Sequence, residues 1–172
     1  MQARLHRSHP GPKESTKEGF NYMAIYTINH NGVVVATAIT IIQYKAGAAN
    51  KARVVRFSIG QGLSETSTME QIQLLRKSAA ATVTSFTPIE NDPDGPAAFG
   101  VGGTAATGIT ATVEGTDGDI LVNESFNILN GYTWVRSDAN EIVIPAGGII
   151  ALKFPVAPAS ATWRASLVIE EI

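Results

Sequence analysis

The chain has 172 residues, 44% of them hydrophobic and 16% charged, with a formal net charge of −2 and no cysteine. That length and apolar content support one domain with a buried core, and the missing cysteines exclude disulfides and thiolate metal sites. No apolar run approaches the about 18 residues of a membrane-spanning helix. Residues 23–172 carry nine basic against thirteen acidic side chains, a balance that argues against nucleic acid as a partner.

Residues 1–22 differ from everything that follows. They hold four Lys/Arg against two Asp/Glu, contain His6 and His9, and show no hydrophobic periodicity. That pattern is expected of an extended N-terminal arm ordered by a partner, and it lacks the apolar stretch of a signal peptide. A second expectation stands beside it. Lys17-Glu18-Gly19 can be encoded by a ribosome-binding sequence shortly upstream of Met23, which would make residues 1–22 a translated leader. Residues 23–172 are expected to form a single domain.

From Met23 onward the chain reads as strands. Ala24 to Asn29 is a short run closed by Asn29-His30-Asn31-Gly32, where Asn-Gly supplies the positive φ of a hairpin turn. A long β-branched strand, Val33 to Tyr44, follows, then a loop from Lys45 to Lys51. Ala52 to Ile59 alternates, with Val55, Phe57 and Ile59 on one face and Arg56 and Ser58 on the other. Between Thr66 and Lys77, Ser67-Thr68-Met69-Glu70 suits a helix cap, whereas Gln71-Ile72-Gln73-Leu74 alternates as a strand; the β-rich context favours a strand.

Ala80 to Thr87 reads as a further strand, Glu90 to Gly95 as a turn-rich loop, and Pro96 to Gly108 as a Gly/Ala/Thr stretch. Ile109 to Glu114 and Asp119 to Asn123 flank a tight turn at Gly115 to Gly118, and Asn130-Gly131 predicts a second hairpin joining Phe126–Leu129 to Tyr132–Val135. Glu141 to Ile172 holds three strands separated by Pro145-Ala146-Gly147-Gly148 and by Pro155 to Pro158. In the last of them Trp163, Ala165, Leu167 and Ile169 share one face. Short strands with regular turn signals define an all-β chain, a two-sheet antiparallel β-sandwich of jelly-roll type.

No catalytic constellation emerges. His30 is the one histidine outside the arm, and its place in a turn predicts solvent exposure. Gly62-Leu63-Ser64-Glu65-Thr66 lacks the final glycine of a nucleophile elbow. Gly100-Val101-Gly102-Gly103-Thr104 lacks the helix that a phosphate loop needs. Asp92 and Asp94, and Asp117 and Asp119, place hard oxygen ligands in turns and are weak calcium candidates. The distal glutamate of a calcium loop starting at Asp92 is missing, because Gly103 stands in its place. No cofactor is expected. Tyr132, Trp134 and Trp163 suit core or interface packing, with a sugar platform as the alternative. Asn123-Glu124-Ser125 matches a glycosylation acceptor.

Ile142-Val143-Ile144-Pro145-Ala146-Gly147-Gly148-Ile149-Ile150-Ala151-Leu152-Lys153-Phe154, followed by Trp163-Arg164-Ala165-Ser166-Leu167, resembles the closing strands of virion jelly rolls. The resemblance is to small structural proteins of tailed bacteriophages, of the head-decoration or accessory-capsid class, and it covers about the last third of the chain. It implies a non-enzymatic virion protein, a symmetric homo-oligomer (a trimer first) that attaches to a major capsid protein or another virion protein. Two other classes remain open at this point: a carbohydrate- or surface-binding sandwich using Tyr132 and Trp134, and a filament subunit whose strand edge is completed by a neighbour.

Overall fold

The computed structural model describes residues 24–62, 67–92 and 106–172. The expected arm, Asp94, the glycine-rich stretch around Gly100 to Thr104 and the interior of Gly62 to Thr66 lie outside these residues. Twelve strands occupy the described chain: β1 (Ile25–Val35), β2 (Ile39–Lys45), β3 (Ala52–Gln61), β4 (Met69–Ala79), β5 (Thr82–Ser85), β6 (Ile89–Glu90), β7 (Gly108–Val113), β8 (Thr116–Asn127), β9 (Tyr132–Val135), β10 (Ile142–Ile144), β11 (Ile149–Phe154) and β12 (Ala161–Glu171).

They form two antiparallel sheets packed as a sandwich. One has the order β10-β3-β12-β1-β6, with β9 also on β3, and the other the order β5-β7-β2-β11-β4-β8. With β5 to β7 set aside as an insertion, the chain changes sheet at nearly every connection, an arrangement consistent with a jelly roll. The segment that suited either a helix cap or a strand is β4. Ile72 and Leu74 are fully buried while Gln71 and Gln73 stay partly exposed, a period of two that a helix cannot satisfy.

The core depends on β12. It lies between β1 and β3 and pairs along both edges. Its alternating side chains Trp163, Leu167 and Ile169 are completely buried, and Ala165 nearly so. The Trp163 ring packs 4.8 Å from Phe154 on β11 and 6.0 Å from Phe126 on β8, so this strand carries packing across to the opposite sheet.

Several local expectations are corrected. Asn29 to Gly32 is no hairpin: β1 continues through it, with a bulge between Asn31 and Val33 and Gly32 at φ 67°. The eleven residues of β12 offer a partner along the whole length, so the positive φ serves a bulge instead of a reversal. The predicted strand Val33 to Tyr44 is broken after Val35, where the chain crosses to the other sheet.

Asn130-Gly131 does turn the chain, with Gly131 at φ 68°, but β8 and β9 belong to different sheets. The motif forms a corner, and a Cβ on Gly131 would sit 2.7 Å from the Ile59 carbonyl oxygen. The tight turn expected at Gly115 to Gly118 is confined to Glu114-Gly115, because β8 already begins at Thr116. In β3 the inward residues are Val54, Phe57 and Ile59, since a register shift opposite Val168 and Ile169 displaces Val55.

Replacing Leu167 by alanine is expected to destabilise the protein by about 2–5 kcal/mol in chemical denaturation, the range for a fully buried leucine. Val135→Ala, at an exposed position of the same sheet, should change stability by no more than about 0.5 kcal/mol.

Candidate functional site

Strand register gathers three connections at one end of the sandwich. Val35 pairs with Ala161, Phe154 with Ile39, Trp163 with Gln61, Ile59 with Tyr132, and Met69 with Asn127. The β1–β2, β8–β9 and β11–β12 connections therefore lie together with the end of β3 and the start of β4. This end carries Val33, Val34, Met69, Leu129 and Val156, whose exposures run from 39% to 64%. They are half of the large hydrophobic residues exposed among the described residues. Five water-facing aliphatic groups thus lie toward one pole of the sandwich, where connections are usually polar.

The connections are held in place by specific bonds. Ile128 N donates to Thr68 O at 3.0 Å, Gly62 N to Thr162 O at 3.0 Å, and Ala159 N to Glu70 Oε1 at 2.9 Å. Leu129 N donates to Asn127 Oδ1, and the Trp163 indole N–H donates to Ala159 O at 3.3 Å. A surface fixed in this way loses little conformational freedom on binding.

Charged groups concentrate elsewhere, in two clusters. Beside the β4–β8 pair, Lys77 has no exposed side-chain surface. Its Nζ lies 2.7 Å from Asp117 Oδ1 and 3.0 Å from Glu114 Oε2. Lys153 Nζ reaches Asp117 Oδ2 at 2.6 Å and Glu114 Oε2 at 3.6 Å. Glu114 also accepts from the backbone N–H of Thr40 and, at 2.9 Å, from its hydroxyl. Gly115 permits the close turn beside it, since a Cβ there would lie 2.1 Å from Ala79 O.

Burial alone would raise the Glu114 carboxyl, but the bonds from Thr40 and Lys77 outweigh it and hold the group below its ordinary value. Asp117 behaves likewise: burial opposes ionisation, and the bonds from Lys153 and Lys77 prevail. The second cluster ties β3 to β12. Glu170 Oε2 accepts from Arg53 Nε at 2.6 Å and from Arg136 Nη1 at 3.0 Å, while Arg53 Nη1 reaches Glu141 at 2.9 Å. The Arg53 bond is the main reason that the Glu170 carboxyl is depressed.

His30 is completely buried, which corrects the expectation of an exposed turn residue. Because β1 does not reverse there, its ring enters the sandwich. Nδ1 lies 3.1 Å from the Trp163 carbonyl and Nε2 3.0 Å from the Thr110 hydroxyl. The carbonyl can only accept, so the neutral ring carries its proton on Nδ1 and accepts from Thr110. Thr110 holds this position at φ 48°, an uncommon conformation for a β-branched residue. Burial lowers the imidazole pKa.

The candidate calcium ligands within the described residues are Asp92, Asp117 and Asp119. Asp92 and Asp119 are exposed, and Asp117 is neutralised by two lysines. No group of three His, Cys, Asp or Glu side chains able to hold a metal occurs among the described residues. Trp163 is fully buried, and Trp134 stacks on Phe57 at 5.9 Å and retains 9% exposure, so neither presents a face to a sugar. Tyr132 is wedged between Phe57 and Phe126. A groove of about 340 Å³ does run between the two sheet edges, past Leu121, Val122, Trp134 and Ile142 and beside Glu124 and Glu141. Asn123 lies on exposed β8, where its side-chain oxygen accepts from Gln71 and Gln73.

Sequence reading singles out Asp117 as an acidic turn residue but neither lysine that binds it, and no residue of the Arg53–Glu170 cluster. The one local signal is Leu75-x-Lys77, which places a lysine in phase with a buried leucine. Compared with family models, with curated proteins and with solved structures, the chain matches none.

Acid should destabilise this protein in two stages. Below about pH 6.5 the unfolded chain protonates His30 while the buried native ring does not, so stability begins to fall. Glu114 and Glu170 contribute stability that is complete above the ordinary carboxylate range near pH 4. That contribution disappears as pH falls through their depressed native values. Denaturant midpoints measured from pH 8 to pH 3 should show a shallow decline followed by a steeper one.

Proposed function

We propose that the chain is a non-enzymatic virion structural protein, a capsid decoration or accessory subunit of a tailed bacteriophage that works as a symmetric homo-oligomer, with a trimer as the first expectation. Its partners are then copies of itself and a major capsid protein or another virion protein, and its place is the virion. The observation that carries the reading is the apolar end built from Val33, Val34, Met69, Leu129 and Val156 on a pinned set of connections.

Supporting it is the division of labour on the surface. Two strong ion clusters join neighbouring strands within the domain, and exposed hydrophobic groups collect where the chain turns. Such a subunit acts by fit and by number. Each contact contributes modestly, and a closed oligomer engages several at once, so attachment is held by effective concentration. The outer edge of β8 is less suited to open-ended strand addition. Its pairing with β4 is interrupted by three register shifts, and it carries Asp119 and Glu124, both devices that discourage edge-to-edge growth.

Changing Val34 and Val156 to serine and Met69 and Leu129 to glutamine should leave the domain folded, because exposed substitutions typically change stability by no more than about 0.5 kcal/mol each. On gel filtration this variant is expected to elute later than the wild type, as a dissociated subunit with an unchanged far-ultraviolet spectrum. Unchanged elution would remove the apolar end from the assembly surface.

A further inference from the structure

We propose that Lys77 and Asp117 condense to an intramolecular amide, a covalent tie between β4 and β8 formed by the protein itself with Glu114 carrying the protons. This modification is independent of the virion reading.

The two residues are opposite partners in the β4–β8 ladder. Lys77 Nζ is already in contact with the carboxyl group of Asp117, at 2.7 Å from Oδ1. The Lys77 side chain has no exposed surface, so bulk water does not compete with these partners for Nζ. Glu114 Oε2, 3.0 Å from Nζ, lies within the distance that general acid–base transfer requires. Thr40 fixes that carboxylate with two bonds, donating from its backbone N–H to Oε1 and from its hydroxyl to Oε2. Lys153 Nζ sits 2.6 Å from Asp117 Oδ2, where negative charge would develop in a tetrahedral intermediate. The side chain of Asp117 is 39% exposed, which gives the departing water an exit.

The resting site is ionic, so the reaction starts with a proton transfer. Nζ passes one proton through Glu114 to Asp117 Oδ1, which leaves a free amine beside a neutral carboxylic acid, and the amine attacks Cγ, forming the C–N bond. Oδ2 takes the charge beside Lys153. Glu114 then carries a second proton from Nζ to Oδ1. The C–Oδ1 bond breaks and water leaves. An ammonium and a carboxylate become one amide and one water, charge is conserved, nothing is oxidised, and Glu114 ends as the carboxylate it began as. The remaining proton stays on the amide nitrogen.

The test is intact-mass measurement of the purified, denatured full-length protein, followed by peptide mapping. The wild type should be lighter than its sequence by one water and should yield a branched peptide joining the segments that contain Lys77 and Asp117. Lys77→Arg and Asp117→Ala should have the full mass. Glu114→Gln should fold and also have the full mass, which separates proton transfer from packing. A wild-type chain at full sequence mass with two separate peptides would overturn the proposal. So would a loss of water that persists in Lys77→Arg.

Discussion

The fold depends on one strand receiving partners on both edges. β12 lies between β1 and β3, and every second residue from Trp163 to Ile169 enters the space between the sheets. A one-residue slip would expose Trp163, Leu167 and Ile169 and bury Arg164 in their place, so register and core are specified together. The same requirement explains the bulge at Gly32 in β1 and the register shift opposite Val54. Both neighbours adjust their backbones to keep inward residues aligned with β12.

Around that core, charge is used to join strands. Arg53, Arg136 and Glu170 connect β3 and β12, and Lys77, Lys153, Glu114 and Asp117 connect β4, β11 and the β7–β8 turn. Tyr44 adds a bond between sheets by donating from its hydroxyl to Glu171 at 3.1 Å, in a buried setting where both groups need a partner. These bonds lie within the domain and reinforce its strands, while the apolar side chains at one end face outward. A rigid body with an apolar pole is suited to repeated attachment, and that is the physical basis of the assembly reading.

Much of the architecture was legible in periodicity. The alternation of β12 and of Gln71 to Leu74 is a property of neighbouring residues, and both segments are strands with the expected faces. Turn chemistry was legible only in part. Asn-Gly identifies a backbone that tolerates positive φ, but Gly32 spends it on a bulge and Gly131 on a corner between sheets. What decides between these uses is the partner strand, which lies far along the chain. His30 was misplaced for the same reason, since its burial follows from the continuation of β1. The Lys77 cluster was not legible, because Glu114 and Asp117 lie 37 and 40 residues away from it in sequence. The apolar end was equally hidden: its five residues come from four separate segments that only the register brings together.

The central claim is that this domain works by assembling. Light scattering on the purified wild-type protein over a wide concentration range tests it most directly. The account predicts a single closed oligomer, a trimer, whose mass does not grow as concentration rises. A monodisperse monomer at the highest concentration would contradict it.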